Sequence, residues 1–268
     1  MSIQPRKRFG QHWLKDESIL DRIVDAADLR PEDRVLEIGP GTGILTRRLL
    51  GSAGSVIAVE IDRDLCAKLP KIIGNKPNFQ LIQGDILAID PDTLGSPNKV
   101  VANIPYNITG PILEKLLGSI ARPRTPAYDS IVLLIQKEVA ERLVAVPSTK
   151  AYGGLSVRVR YLADCDWIAD VPSRAFSPPP KVDSAVVRLR PRPLSPPVDR
   201  PKQLETLIAL GFANRRKMLR NNLKSSIEPE RLTRILTQLE IDPLCRAEDL
   251  SLSQWIALHD RLNETIEA

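Results

Sequence analysis

The sequence predicts an α/β protein, a mostly parallel sheet with helices on both faces, followed by a small all-α domain. Three observations carry that prediction. Short β-branched runs alternate with helical periods over the first two-thirds of the 268 residues, as parallel strands with crossover helices require. A glycine-rich turn, Glu37-Ile-Gly-Pro-Gly-Thr-Gly43, stands where the first such run gives way to a helix. Beyond residue 201 the period is helical throughout.

Taken in order, Asp16 is placed as the N-cap of an amphipathic helix running to Ala27, because its short carboxylate suits the free amides of a first turn. Strands are predicted at Arg34–Ile38, Ser55–Glu60, Phe79–Gln83, Lys99–Asn103 and Ser130–Gln136. Helices are predicted near Ile44–Leu50, Arg63–Ile73 and Ile112–Leu117. Two further β-like runs, Asp166–Val171 and Lys181–Leu189, have no comparable helix between them, so the sheet is expected to finish with a hairpin. Pro191, Pro193, Pro196, Pro197 and Pro201 then interrupt regular structure and read as a linker. Helical periods return at Lys202–Ala213, Lys217–Lys224, Pro229–Leu239 and Ser253–Asn263. The expected division is a catalytic domain over 1–192, a linker over 193–201 and a helical domain over 202–268. His259, in the last helix, reads as a surface residue.

Composition narrows the function classes. No apolar run approaches the ~20 residues of a membrane helix, and residues 1–8 lack the apolar core of a signal peptide. Cytoplasm is the expected compartment and monomer the default state. Cys66, Cys165 and Cys245 are odd in number and far apart, so neither a disulfide nor a metal site is expected. Net charge is +5, but its distribution says more. Residues 1–15 carry four bases (Arg6, Lys7, Arg8, Lys15) and no acid. Residues 16–120 hold eleven bases against fifteen acids, residues 142–192 nine against four. Gly211–Lys224 holds Arg215, Arg216, Lys217, Arg220 and Lys224 with no acid. An acidic core flanked by basic segments suits a polyanion such as nucleic acid. Arg6, Lys7, Arg8, Arg215, Arg216, Lys217 and Arg220 are the candidate nucleic-acid contacts.

The motifs specify chemistry. Gly39, Gly41 and Gly43 let the backbone turn tightly and approach a ligand without a Cβ in the way. Glu60 ends the next strand, where a carboxylate is placed to accept ribose hydroxyls, and Asp85 follows the third strand, where it can accept from an adenine amine. A plain tight turn and a helix N-cap are the competing readings of each alone. Asn103-Ile-Pro-Tyr106 lies at the carboxyl end of the fourth strand. An adenine N6 is a poor nucleophile because its lone pair is conjugated into the ring. The Asn103 amide oxygen and the Ile104 carbonyl can accept its two protons and aim the lone pair at an electrophilic methyl. Pro105 fixes the backbone direction, and Tyr106 offers a π-face. Such chemistry is mostly alignment and electrostatics, and the base must first leave its stack. Phe176 is the candidate opposing aromatic, although a core phenylalanine beside a proline turn reads equally well.

These segments, with Arg8-Phe-Gly-Gln-His-Trp-Leu14, Val59-Glu-Ile-Asp62, Gln136-Lys-Glu-Val-Ala140, Phe176-Ser-Pro-Pro-Pro-Lys-Val-Asp-Ser184 and Asn214-Arg-Arg-Lys-Met-Leu-Arg-Asn-Asn-Leu223, closely resemble the KsgA-type small-subunit rRNA adenine dimethyltransferases over nearly the whole chain. The resemblance implies a class I methyltransferase domain dependent on S-adenosylmethionine (SAM), releasing S-adenosylhomocysteine. It implies two methyl groups on each of two adjacent adenosines near the 3′ end of 16S rRNA, within an immature 30S-type subunit. It sets His12 and Leu14 at the methionine end of SAM, Gly39 and Gly41 in the turn, Glu60 at the ribose and Asp85 at the adenine. Ile61 and Ile86 go with the two carboxylates, and Asn103 is shared between cofactor and acceptor amine. The family commonly has Asn-Phe where this chain has His12-Trp13. A macrolide-resistance methyltransferase of large-subunit rRNA is the nearest rival, and a subunit-assembly factor the rival of another class.

Overall fold

The computed structural model describes residues 11–125, 128–193 and 197–264. They open with a two-residue strand, Trp13–Leu14 (β1), and the helix Glu17–Ala27 (α1). Asp16 caps α1 as its position predicts, accepting from the amides of Ser18 and Ile19. There follow Arg34–Ile38 (β2), Ile44–Ser52 (α2), Ser55–Glu60 (β3), Arg63–Ile73 (α3), Phe79–Gln83 (β4), Lys99–Asn103 (β5), Thr109–Leu117 (α4) and Ser130–Gln136 (β6). All five predicted strands are present.

Two helices depart from the sequence reading, Lys137–Val144 (α5) and Gly154–Leu162 (α6). α5 starts directly after β6, with no turn residue to mark the change of period. α6 buries Ser156, Val157, Val159, Tyr161 and Leu162, so no polar stripe reveals its helical repeat, and its valines alternate as in a strand. Ala163–Val171 (β7), Phe176–Ser177 (β8) and Ser184–Pro191 (β9) complete the β elements.

The large sheet has the order β4-β3-β2-β5-β6-β9-β7. β2, β3, β4, β5 and β6 are parallel, and β9 runs antiparallel to β6 with Ser184 opposite Gln136. The chain moves outward from β2 through β3 to β4, then returns to β5 on the other side of β2. That reversal opens a crevice at the carboxyl ends of β2 and β5, where open α/β sheets bind ligands. One face of the sheet buries Val35, Val56, Val101, Val132 and Val186 against Leu20 and Ile23 of α1 and Leu49 of α2. Burying each such side chain contributes about 1.5–3 kcal/mol, which holds the crevice rims in register.

This sheet belongs to a compact unit of Met1–Leu117, Thr125–Ala140 and Cys165–Pro191; a second unit takes Gly118–Arg124, Glu141–Asp164 and Arg192–Ala268. The second contains α6 and the helices Pro201–Gly211 (α7), Leu219–Leu223 (α8), Pro229–Gln238 (α9) and Leu252–Asn263 (α10). Its centre is aromatic: Phe212 lies 6.4 Å from the Tyr152 ring and 5.8 Å from that of Trp255. Gly211 is required there, because a Cβ would stand 2.4 Å from the Trp255 ring. His259 is not a surface residue. It is 2% exposed, its Nδ1 2.9 Å from Asp260 Oδ1. A polar residue on the inner face of a short helix carries no sequence mark of its burial.

Candidate active site

Gly39, Gly41 and Gly43 follow β2 with φ of 68°, 59° and 79°, the left-handed region that other residues enter only at a cost. A Cβ at Gly43 would also crowd the side-chain ends of Ile73 at 3.0 Å and Leu69 at 3.1 Å. Gly39 has nothing within 4 Å of its missing Cβ, so its backbone borders open space. The turn is tied to the end of β3: the Gly39 amide donates to the Val59 carbonyl, and the Gly41 amide donates to Glu60 Oε2 at 3.2 Å. Glu60 Oε1 accepts from the Asp62 amide at 2.8 Å. A carboxylate has about four lone-pair sites, so Glu60 keeps capacity for ligand hydroxyls. Burial raises its pKa. Glu37, 1% exposed, is pushed up to about 8 by burial, with the Glu60 charge adding to it. Its Oε2 has no hydrogen-bond partner among the described residues, and neither has Trp13 Nε1. Asp85 follows β4 with Oδ1 accepting from the Leu87 amide at 2.9 Å, which leaves Oδ2 for a ligand.

β5 delivers Asn103 to the same rim. The Asn103 Nδ2 donates to the His12 carbonyl at 3.2 Å, and that bond assigns the amide orientation: nitrogen toward β1, oxygen free. Tyr106 is held at its far end, its hydroxyl 2.6 Å from Ser184 Oγ. Ser184 is fully buried on β9. Burial raises the Tyr106 pKa, so the phenol stays neutral. The His12 ring is stacked on that of Tyr106, centroids 6.0 Å apart and planes 17° from parallel, with its Nδ1 2.8 Å from the Pro178 carbonyl.

One cleft is lined by every expected cofactor-side residue except Leu14, and by every expected acceptor-side residue except Phe176. Leu14 lines an adjoining pocket with Gly39, Gly41 and Asn103; it also stands opposite Phe176 across β1 and β8, the two being 6% and 1% exposed within the core cluster. Phe176 is therefore a core side chain in this structure, not an opposing wall of the cleft. The short β1–β8 ladder points both residues to the interior. Trp13, Gln11 and Ser184 escaped the sequence reading as site residues. The tryptophan stands out only because Gly41 lies against it, a Cβ there being 3.4 Å from its ring. Ser184 gave no signal, since its partner is 78 positions away.

Arg6, Lys7 and Arg8 lie outside the described residues. Arg215 is exposed and already partnered: its Nε pairs with Glu248 at 2.8 Å, and its guanidinium also donates to the carbonyls of Lys150 and Tyr152. Arg216 and Lys217 are exposed and Arg220 is half-buried. No described group of His, Cys, Asp and Glu could hold a metal ion, and no described helix is long and apolar enough to cross a membrane.

The cleft fits an adenosine-type cofactor. The left-handed Gly39 and Gly41 open the backbone, Glu60 and Asp85 retain acceptor capacity, and the buried Trp13 Nε1 has no partner among the described residues.

Comparison with known proteins agrees with this geometry. A family model described as ribosomal RNA adenine dimethylase matches residues 3–264. The chain is 62% identical to a ribosomal RNA small subunit methyltransferase A of Rippkaea orientalis, over 98% of this chain and 99% of that one. It is also 62% identical to the protein of the same name from a Nostoc species, over 97% and 98%. Among solved structures, a dimethyladenosine transferase from Plasmodium falciparum superposes with a TM-score of 0.78 at 28% identity, covering 94% of this chain and 98% of the other. The 23S rRNA methyltransferase ErmE gives a TM-score of 0.74 at 29% identity, covering 94% and 100%.

Proposed function

The chain belongs to the ribosomal RNA adenine dimethylase family, and from that premise we infer that it transfers methyl groups from SAM to N6 of two adjacent adenosines in the 3′-terminal hairpin loop of 16S rRNA. It is an rRNA adenine dimethyltransferase. The observation that carries the reading is the meeting, in one cleft, of the glycine turn with its carboxylates and an asparagine whose amide oxygen is freed by the Asn103–His12 bond.

SAM supplies an electrophilic methyl on a sulfonium. The residues of this chain do the rest. Glu60 would take the ribose hydroxyls of SAM and Asp85 its adenine amine, with Ile61 and Ile86 beside the base and the backbone of Gly39, Gly41 and His12 toward the methionine end. Asn103 Oδ1 and the Ile104 carbonyl accept the two protons of the target amine, which turns its lone pair out of conjugation and toward the methyl. Pro105 holds that carbonyl in place. Tyr106, fixed by Ser184, supplies the surface on which the unstacked base rests. No strong base is needed, because the amine loses its proton only after it has gained the methyl and become cationic, and so acidic a proton passes to solvent water. Alignment supplies most of the acceleration.

The substrate we propose is rRNA in an immature small subunit, the acting form a monomer in the cytoplasm, and the helical part of the chain an rRNA-binding domain with Arg216, Lys217 and Arg220 toward phosphate. Small-subunit enzymes at 62% identity over the full length support 16S over 23S rRNA as substrate, against 29% for the large-subunit enzyme.

The test is incubation with labelled SAM and small subunits lacking the modification, followed by nuclease digestion and nucleoside analysis. N6,N6-dimethyladenosine at the adjacent pair is the expected product. Label confined to large-subunit rRNA would promote the resistance-enzyme reading, and tight binding without transfer would leave an assembly factor.

A further inference from the structure

α8 and α9 border an open groove of about 520 Å³ within the second unit. Arg220, Lys224 and Arg234 line it, with Glu230 as the one acid and no aromatic ring. Arg220 and Lys224 stand four positions apart on α8 and its C-cap, so they share a face with Cβ atoms about 5–6 Å apart. That matches the step between neighbouring phosphates of a nucleic-acid strand. Arg234 comes from the facing helix α9.

The unit leaves these cations unspent, as it does the exposed Arg216 and Lys217, and Arg220, Lys224 and Arg234 also share one groove. Its other arginines are largely engaged: Arg215 with Glu248 at 2.8 Å, Arg192 with Asp164 at 2.9 Å and Arg261 with Glu264 at 2.7 Å. Arg160 and Arg231 donate to backbone carbonyls. Arg220, Lys224 and Arg234 form no ion pair or side-chain hydrogen bond among the described residues. Three like charges around one concavity repel each other, and a polyanion laid between them removes that repulsion while releasing its own counterions.

We propose that the α8–α9 groove seats the phosphodiester backbone of small-subunit rRNA, one phosphate to each of Arg220, Lys224 and Arg234. This rests on the rRNA substrate inferred above. The absence of an aromatic platform makes the groove a positioning surface and not a reader of bases. The surface thus takes Arg220 and Lys224 from the end of the basic run and adds Arg234, a cation of α9 outside that run.

The test compares wild type with the R220Q/K224Q/R234Q triple variant in methylation of purified small subunits over a salt series. Each lost phosphate contact should flatten the log–log salt dependence by about 0.7–0.9, so the triple variant loses roughly 2–3 in slope. Its KM for subunits should rise on the order of tens-fold at low salt, while SAM affinity and kcat at saturating subunits stay unchanged. Glu230→Gln, which removes the groove's acid and does not depend on the triple variant folding, should lower KM. R261Q, a paired arginine on α10, should behave as wild type. A folded triple variant with wild-type KM and salt slope overturns the groove and leaves the enzyme's function standing. A wild-type chain that neither binds nor methylates small subunits overturns both.

Discussion

Replacing Asn103 by alanine should separate binding from chemistry. The side chain makes one structural bond, Nδ2 to the His12 carbonyl at 3.2 Å, whose net worth is about 0.5–1.5 kcal/mol. The fold therefore survives, with a melting temperature lower by a few degrees at most. The oxygen end matters more. It is the acceptor that holds the target amine, and removing one preorganised hydrogen-bonding group from a transition state typically costs ~10²–10³ in rate, or about 2.7–4 kcal/mol. Single-turnover transfer of labelled methyl to unmodified small subunits should fall by that factor, while equilibrium binding to the same subunits changes less than about two-fold, since a single neutral amide adds little to a polyelectrolyte contact. Asn103→Asp sets a carboxylate oxygen against the His12 carbonyl and should lose at least as much. A rate within tenfold of wild type, or affinity lost in step with rate, would refute the assignment.

The remaining predictions concern the cofactor rim, pH and the helical unit. Glu60→Gln replaces one acceptor with an N–H facing the Gly41 or Asp62 amide, an unsatisfied contact of about 1–3 kcal/mol; calorimetric SAM affinity should drop, and unchanged SAM affinity would remove Glu60 from the site. Glu37 keeps its proton up to about 8 when folded against 4.5 as a free side chain. The folded state thus binds the extra proton between those values, and stability falls as pH rises through that window, by ~5 kcal/mol at most. Denaturant melts at pH 5 and pH 8 should diverge for wild type and converge for Glu37→Gln, whereas parallel profiles would show that Glu37 ionises freely. Arg215→Ala removes the Glu248 ion pair and two carbonyl contacts and should destabilise the chain by about 1–3 kcal/mol without changing the salt dependence of subunit binding. A lower salt slope with intact stability would return Arg215 to the RNA interface.

Local chemistry was legible in the residues alone. The five parallel strands, the Asp16 cap, the glycine turn and the strand-end positions of Glu60, Asp85 and Asn103 follow from period, turn chemistry and spacing, each settled within a few neighbouring residues. The failures share a cause. α6 is buried on most of its surface, so its repeat is hidden. Phe176 and His259 turn inward, and Arg215 is drawn into Glu248, because of partners far along the chain. The Asn103–His12 bond joins residues 91 positions apart, and Tyr106–Ser184 joins residues 78 apart. Motif content named the groups able to hold a nucleoside and an amine. Which way each amide points, which aromatic faces the cleft and which arginines remain free for phosphate were decided only by tertiary packing, since a hydrogen bond or a burial depends on the atoms that arrive in space and not on those that precede in sequence.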